Sequence, residues 1–578
     1  MGLMDTLAGI FGYGPATTAA SPMPEQQALA GGSTAFDAGS YGTRELEGWH
    51  PGLLSADDEA LDARDTLVAR ARDLYRNHPV VHGAVNKIVD AVIGSRVQLS
   101  AQPQHELLGM DVAKALDWSL TTQAEFKVWA YGPGHEADVA GEASFGQIMR
   151  TAKIARLVDG ECLIVIRNKV RAGRRYTTCI ELIDTDRLSN PNGRPDNVKL
   201  SNGNTLFGGI EYAADGEPVA YHIRVKHPLK MDANGENFRW VRIARFSRTG
   251  KPQAIHSFRK HRPGQRRGIS ALAPVIKRVR MNDNYDIAEL EAALFDAINA
   301  GFVESPYPTA DVAAAMAPSG QPDESAWSLA KQIEFRQKNK VGLKGVRMIH
   351  TFPGEKVNFK QPARPAGNYP AFKGAGQHDM AAGLNLSYPQ LSEDWADINY
   401  SSARTLLNEK WRGFDSMGEE FCDQVCSPIY AAWLEEAVAV ATVKAPKGAA
   451  RFYQNRALIS MATWLRPGRG KIDPLKEENA SDIAVNAGRS NNLIEAANNG
   501  LDFYDVAMGA ARESAIRKKL GLDEFVPLKI AGAAGGEDGD GAGGDGSKGT
   551  EDDRAADGKP NEEQRQSKGR RRQTEGAN

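Results

Sequence analysis

The sequence predicts an α+β protein whose folded part is organised by two long helices flanking an insertion. Three features point there. From Asn399 to Leu434, the residues Ala403, Leu407, Trp411, Phe414, Met417, Phe421 and Val425 recur at steps of three and four, the period of one helix face. From Ser270 to Glu304, Leu272, Ile276, Val279, Leu290, Leu294 and Ile298 make a second stripe, enough for about 45 Å of helix at about 1.5 Å per residue. A block from 161 to 258 has a different period, with apolar residues alternating as they do along strands.

Taken in order, residues 12 to 55 are rich in Gly, Ala, Ser, Thr and Pro without a period and read as an extended or disordered arm. Asp57 is placed as the N-cap of a helix carrying Leu61, Leu67, Val68, Ala71 and Leu74. Asn77-His78-Pro79 breaks it, and a second helix from Val80 to Ile93 is closed by Gly94. A short strand is expected at Val97-Gln98-Leu99, and helices at about 110–129 and 145–158. Strands are expected at Cys162–Ile166, Thr178–Ile183, Phe207–Tyr212, Val219–Val225, Trp240–Phe246 and Ile255–Phe258, with Asp215-Gly216 as a hairpin turn. The insertion carries a strand at Phe302–Glu304 and an Ala/Pro-rich loop, then a short helix with Trp327, Leu329, Ile333 and Phe335. Two further strands, Val346–Thr351 and Lys356–Phe359, flank Pro353-Gly354. Asn399, Ser401 and Ser402 are N-cap candidates for the second long helix, and Pro428 is expected to break or kink it. Helices are then expected at about 451–465, 474–487 and 502–519. From Ala531 the chain is rich in Gly, Asp and Glu and ends in Lys568-Gly569-Arg570-Arg571-Arg572, a solvated, disordered tail.

Lys and Arg number 71 against 73 Asp and Glu. No domain-wide positive field marks the chain as a nucleic-acid wrapper, which needs a basic excess to neutralise phosphates. No apolar run approaches a membrane span, and the apolar start Met1–Gly14 lacks the positive residues of a secretory signal. The expectation is a cytoplasmic protein with no membrane partner. Four cysteines are too few and scattered for a disulfide framework. Cys162 and Cys179 fall on expected strands, and Cys422 and Cys426 stand four apart on one helix. They read as buried reduced thiols, with a zinc site using all four as the alternative.

Catalytic motifs are not found. Gly250-Lys251, Gly470-Lys471 and Gly558-Lys559 lack both the upstream glycine and the following hydroxyl of a phosphate loop. Gly541, Gly543 and Gly546 match a dinucleotide fingerprint only inside low-complexity tail, with no strand before them. There is no His-Glu-x-x-His and no Gly-x-Ser-x-Gly, and Pro79 spoils the shared face of His78 and His82. No catalytic residue, metal ligand or cofactor is assigned. One dense basic cluster, Arg259, Lys260, His261, Arg262, Arg266 and Arg267, precedes the first long helix. It reads either as a phosphate contact or as a solvated turn around Pro263-Gly264.

A set of short strings in fixed order carries more. These are Arg-x-Leu-Tyr-Arg-Asn (Arg72 to Asn77), Asp159-Gly160-Glu161, and the run His261-Arg262-Pro263-Gly264-Gln265-Arg266-Arg267-Gly268-Ile269-Ser270. Leu386-Ser387-Tyr388 and Asn399-Tyr400-Ser401-Ser402-Ala403-Arg404 come next, then Trp464 and Ile472-Asp473-Pro474-x-Lys476-Glu477. With them the chain, from about 57 to 525, resembles the lambda-type portal proteins of tailed bacteriophages.

The resemblance implies a portal fold: a disordered arm (1–56), an α+β wing (57–268) and a first stem helix (269–301). A small α/β clip (302–362) is next, then a second stem helix with the channel loop (363–398). A long channel-lining helix returns to the wing (399–450), before a helical crown (451–530) and a disordered tail (531–578). It implies a ring, usually a dodecamer, at one capsid vertex, assembled in the host cytoplasm and kept in the virion. Double-stranded DNA passes through the hole, driven by a separate terminase. Partners implied are the terminase large subunit, major capsid and scaffold proteins, and a head-completion protein. By position, the channel loop is about Leu391 to Ile398, where Glu393, Asp394 and Asp397 would repel phosphates while Trp395 props the loop by packing. The rival classes are a DNA-processing enzyme and another virion component such as a head-completion or baseplate protein.

Overall fold

Ser55, two residues before the expected cap, starts the first helix. Its hydroxyl accepts from the Asp58 amide at 3.2 Å, and Asp57, Asp58 and Glu59 place three carboxylates at the positive end of the dipole. The computed structural model describes residues 38, 44–230, 234–298, 302–303, 349–350, 368–396, 398–445, 452–471 and 473–522. The chain divides into two units, 1–513 and 514–578. Every element below belongs to the first unit, except that the last helix runs past its end.

α1 (Ala56–Asn77) passes directly into α2 (Pro79–Val92), with His78 capping the second through its ring nitrogen. Gly94, at φ +63, ends it as expected. β1 (Gln98–Ala101), a one-turn α3 (His105–Leu108), α4 (Val112–Tyr131) and α5 (Phe145–Val158) come next. Ser144 and Gln147 close a capping box at the start of α5.

The strands then sort into two antiparallel sheets. β2 (Glu161–Asn168), β3 (Thr178–Ile183) and, much later, β9 (Ala254–Phe258) form a sheet in the order β3-β2-β9, with Leu163 opposite Ile183 and Glu161 opposite Phe258. β4 (Val198–Lys199), β5 (Thr205–Phe207), β6 (Ile210–Tyr212), β7 (Pro218–Arg224) and β8 (Trp240–Ala244) form a meander. The single strand expected at Phe207–Tyr212 is two strands. Gly208 and Gly209 both adopt positive φ and fold it into a hairpin.

α6 (Ala273–Ile298) is the first long helix, shorter at both ends than the stripe suggested. Most of the insertion after it, including the expected helix and the expected strand Lys356–Phe359, lies outside the described residues, and of the expected strand Val346–Thr351 only Ile349–His350 is described. The described part is one parallel pairing, β10 (Phe302–Val303) with β11 (Ile349–His350). α7 (Tyr369–Gly383) packs back on α6, where Tyr285 meets Tyr369 and Phe372. α8 (Tyr388–Ser392), capped by Ser387 and Gln390, leads into α9 (Tyr400–Phe421), where Asn399 caps the amide of Ser402 at 2.8 Å.

Pro428 does not break this helix. A π turn at Cys422–Cys426, closed by the Ser427 amide on the Cys422 carbonyl, absorbs the missing donor, and the chain runs on as α10 (Ser427–Ala439). The expected helix at 451–465 is also corrected. Among the described residues there, the helical segment is the short α11 (Arg456–Ile459), with Phe452 the last residue of an earlier turn. β12 (Ala462–Leu465) pairs with β1, Trp464 opposite Leu99, a contact no local pattern announces. α12 (Pro474–Asn486), an unpredicted α13 (Asn492–Asn498) and α14 (Phe503–Leu520) end the described chain.

The main core gathers around α10. Tyr430 and Trp433 are fully buried, in edge and stacked contact with Phe126, Trp129, Tyr176 and Trp464. A smaller core of Leu163, Val165, Phe207, Ile210 and Tyr221 fills the space between the two sheets. The structure is thus a mixed helix-and-sheet fold, as the sequence predicts. Among the described residues no helix is long and apolar enough to cross a membrane.

Candidate nucleic-acid interface

The loop before α9 begins where α8 ends. Glu393 takes a left-handed conformation (φ +62) to close α8, and its carboxylate pairs with Lys87 of α2. That pairing weakens its field, so Glu393 is a tethered acid. Asp394 is exposed and accepts from the Ala396 amide at 3.1 Å, an Asx turn that stiffens the tip. Trp395 is 41% exposed. Asp397 lies outside the described residues.

The basic cluster splits by burial. Arg259 and Lys260 are exposed. Arg262 is tied to Glu59 and the Leu54 carbonyl. Arg266 lies 4.5 Å from the Tyr212 ring and 5.1 Å from that of Phe207, and its amide donates to Asp57. Arg267 is 3% exposed and bonded to Glu161, so its assignment as a phosphate contact is withdrawn. The cluster is neither a plain solvated turn nor a uniform phosphate patch. Its second half is a clasp.

At the centre of that clasp sits Glu161, fully buried. Arg267 Nε lies 3.0 Å from each carboxylate oxygen, Arg64 Nη2 donates at 2.9 Å, His256 Nε2 lies at 2.9 Å and the Gly268 amide donates at 2.9 Å. Burial alone would raise this carboxyl, but Arg267, Arg64 and His256 outweigh it and hold it well below its ordinary value. Glycines on both sides make the approach possible. A Cβ on Gly268 would meet the Gly160 carbonyl oxygen at 2.2 Å, and one on Gly160 would meet the Ile269 carbonyl carbon at 2.3 Å. The strings Asp159-Gly160-Glu161 and His261 to Ser270 are therefore two halves of one contact.

The string at Arg72 has a similar cause. Arg72 donates to both Asp159 oxygens at 2.7 and 2.8 Å, to Asp186 at 2.6 Å and to Asp184 at 3.1 Å. Among the described residues, Asp184, Asp186 and His227 come close enough together to resemble a metal site. The Arg72 guanidinium already serves as their cation. All four cysteines are free and buried.

Lys153 and Arg156 were not expected to matter from the sequence. Both lie on the inner face of α5, 3% and 6% exposed, and both line a cleft of about 430 Å³ with Arg259, His261 and Glu420. Burial, and then Arg156, push the Lys153 ammonium down to about 7. The signal was present: positions 153 and 156 come after Met149 at steps of four and seven, on the apolar stripe.

The described residues bring together a buried ionic clasp and a long helix entered through an acidic loop. Residues 42–417 match the model of the phage portal proteins, lambda family, and the chain belongs to that family. It is 27% identical over 485 residues to the portal protein of Escherichia phage N15, covering 83% of this chain and 89% of that one. It is 26% identical over 484 residues to portal protein B of Escherichia phage lambda, again 83% and 89%. Among solved structures, it is similar to a chain from the neck of the native GTA particle computed with C12 symmetry, at 13% identity, 80% and 100% coverage and TM-score 0.35. A chain from the virion of the native gene transfer agent particle gives 14% identity, 81% and 99% coverage and TM-score 0.34. Superpositions that loose carry no argument.

Proposed function

We propose that this chain is one subunit of a closed ring, a dodecamer, at a single vertex of a phage capsid, serving as the conduit for double-stranded DNA. The observation that carries this is membership of the lambda portal family over most of the folded chain. In this reading the segment 57–268 is the wing, α6 and α7 the stem, 302–362 the clip, and 451–530 the crown. Terminase large subunit and head-completion protein dock at the clip end, and capsid and scaffold proteins surround the ring.

The surface of α6 supports assembly with other copies. Its first turns are sealed by Val275 and Val279, but Ile287, Leu290 and Leu294 lie exposed along its second half, with Met281 exposed just before them. A run of large apolar side chains on one helix is costly in water and fits a neighbour's surface. The balanced net charge supports a conduit, because each neutralised phosphate adds grip and DNA must slide. Asp394 and Asp397, with Glu393 partly masked by Lys87, repel the backbone, while Arg259 and Lys260 are available for phosphate. The chain contributes geometry and field, and a separate motor supplies the work. Negative-stain imaging of the purified chain tests the ring: particles with a central hole are expected, and a monodisperse monomer at micromolar concentration overturns the reading.

A further inference from the structure

We propose that the cleft between α5, the start of α6 and the segment 259–261 binds a phosphate-type oxyanion through Lys153, Arg156, Arg259 and His261. The Arg156 guanidinium pairs through Nη2 with Glu420, yet its Nη1 is buried without a hydrogen-bond partner among the described residues. Among the described residues, Lys153 Nζ reaches only the Met417 carbonyl, at 3.5 Å, longer than an ordinary N–H···O bond. Both cations stand near the Phe421 ring, at 5.4 and 5.9 Å, which offers attraction but no acceptor. Burying unmatched charge is costly unless something of opposite sign meets it.

The charge of the lining favours a dianion. Arg156 and Arg259 are cationic and Glu420 is the acid among them, and the balance rises from one positive charge to two as Lys153, held down to about 7, takes up a proton beside the anion. A cleft of about 430 Å³ exceeds what a single water occupies, about 30 Å³ in the liquid. The start of α6 adds the positive end of a 26-residue helix dipole. Arg259 and His261 stand exposed at the mouth, so an anion can enter. A tetrahedral oxyanion between Arg156 Nη1 and Lys153 Nζ gives both donors acceptors and opposes the burial and the Arg156 repulsion that depress Lys153.

The site deepens the phosphate role of Arg259 in the portal reading but does not require a ring, so the two fail separately. The test is calorimetric titration of the full chain with sodium phosphate at pH 7, against sodium chloride of equal ionic strength. Saturable heat with phosphate only is expected, weakened at least tenfold in Arg259→Gln and abolished in Arg156→Gln. Arg259 is exposed, so its variant keeps the parent melting temperature in phosphate-free buffer even where Arg156→Gln folds poorly. Repeating the titration in the presence of a short duplex DNA separates the sources. Competition assigns the site to backbone phosphate, and unchanged heat assigns it to the free ion. Heat no larger than with chloride, or heat undiminished in Arg259→Gln, overturns the proposal. Rings that form without phosphate heat overturn the site and leave the portal reading standing.

Discussion

Glu161 shows how far single residues can be read from a string. Asp159-Gly160-Glu161 and Arg266-Arg267-Gly268 are visible in the sequence, but their meeting is a contact across 106 positions that no local period encodes. Its consequence is testable. Glu161→Gln keeps the shape and removes the charge, leaving Arg267 buried without that counter-ion and Arg64 with the exposed Asp65. The expected loss is about 3–5 kcal/mol by urea unfolding, and a loss below about 1 kcal/mol contradicts the clasp. The pH sign comes from the same contact. A carboxyl held below its unfolded value of 4.5 contributes stability that is present above that value and lost as the pH falls beneath it. Glu211 behaves alike: burial would raise it, but hydrogen bonds from Arg242, Asn202 and Asn204 hold it at about 2, so its share is lost between about 4.5 and 2. Glu161→Gln should flatten the acid limb of the stability curve without removing the part due to Glu211.

At the scale of elements, periodicity located α5, β3 and the start of α9 to within a residue or two, because each buries one continuous face. It failed where the partner is remote or the chain is short. β12 is four residues long and pairs with a strand more than 350 positions earlier. Along α9 burial rises toward the π turn: Phe414 and Phe421 are buried, whereas Leu407 and Trp411 are only half-buried. Phe414→Ala should therefore cost about 3–5 kcal/mol in the isolated chain, and Trp411→Ala distinctly less, its larger effect appearing in ring yield. Equal losses in the monomer would refute that gradient. The loop before α9 yields a separate expectation. Glu393 is tied to Lys87, so Asp394→Lys is the cleaner reversal of charge. It should slow DNA packaging in a purified motor assay, and unchanged packaging removes the case for repulsion by the loop.

For the whole molecule, the two long helices, the mixed class and the absence of an enzyme motif were legible, whereas the buried cations of α5 were not recognised. Charged residues on an apolar stripe are ordinarily read as interruptions. Here they face a cleft, and only the packing of α5 against α9 and the lead-in to α6 reveals it. The exposed apolar residues on the second half of α6 belong to the same scale, and the proposed ring offers a neighbouring copy to cover them. Cryo-electron microscopy of the assembled particle reads this most directly. The expected image is a closed ring in which the segment Leu391–Ile398, with Trp395 and Asp394, projects toward the central hole. The same segment found on the outer rim, or an assembly without a hole, contradicts it.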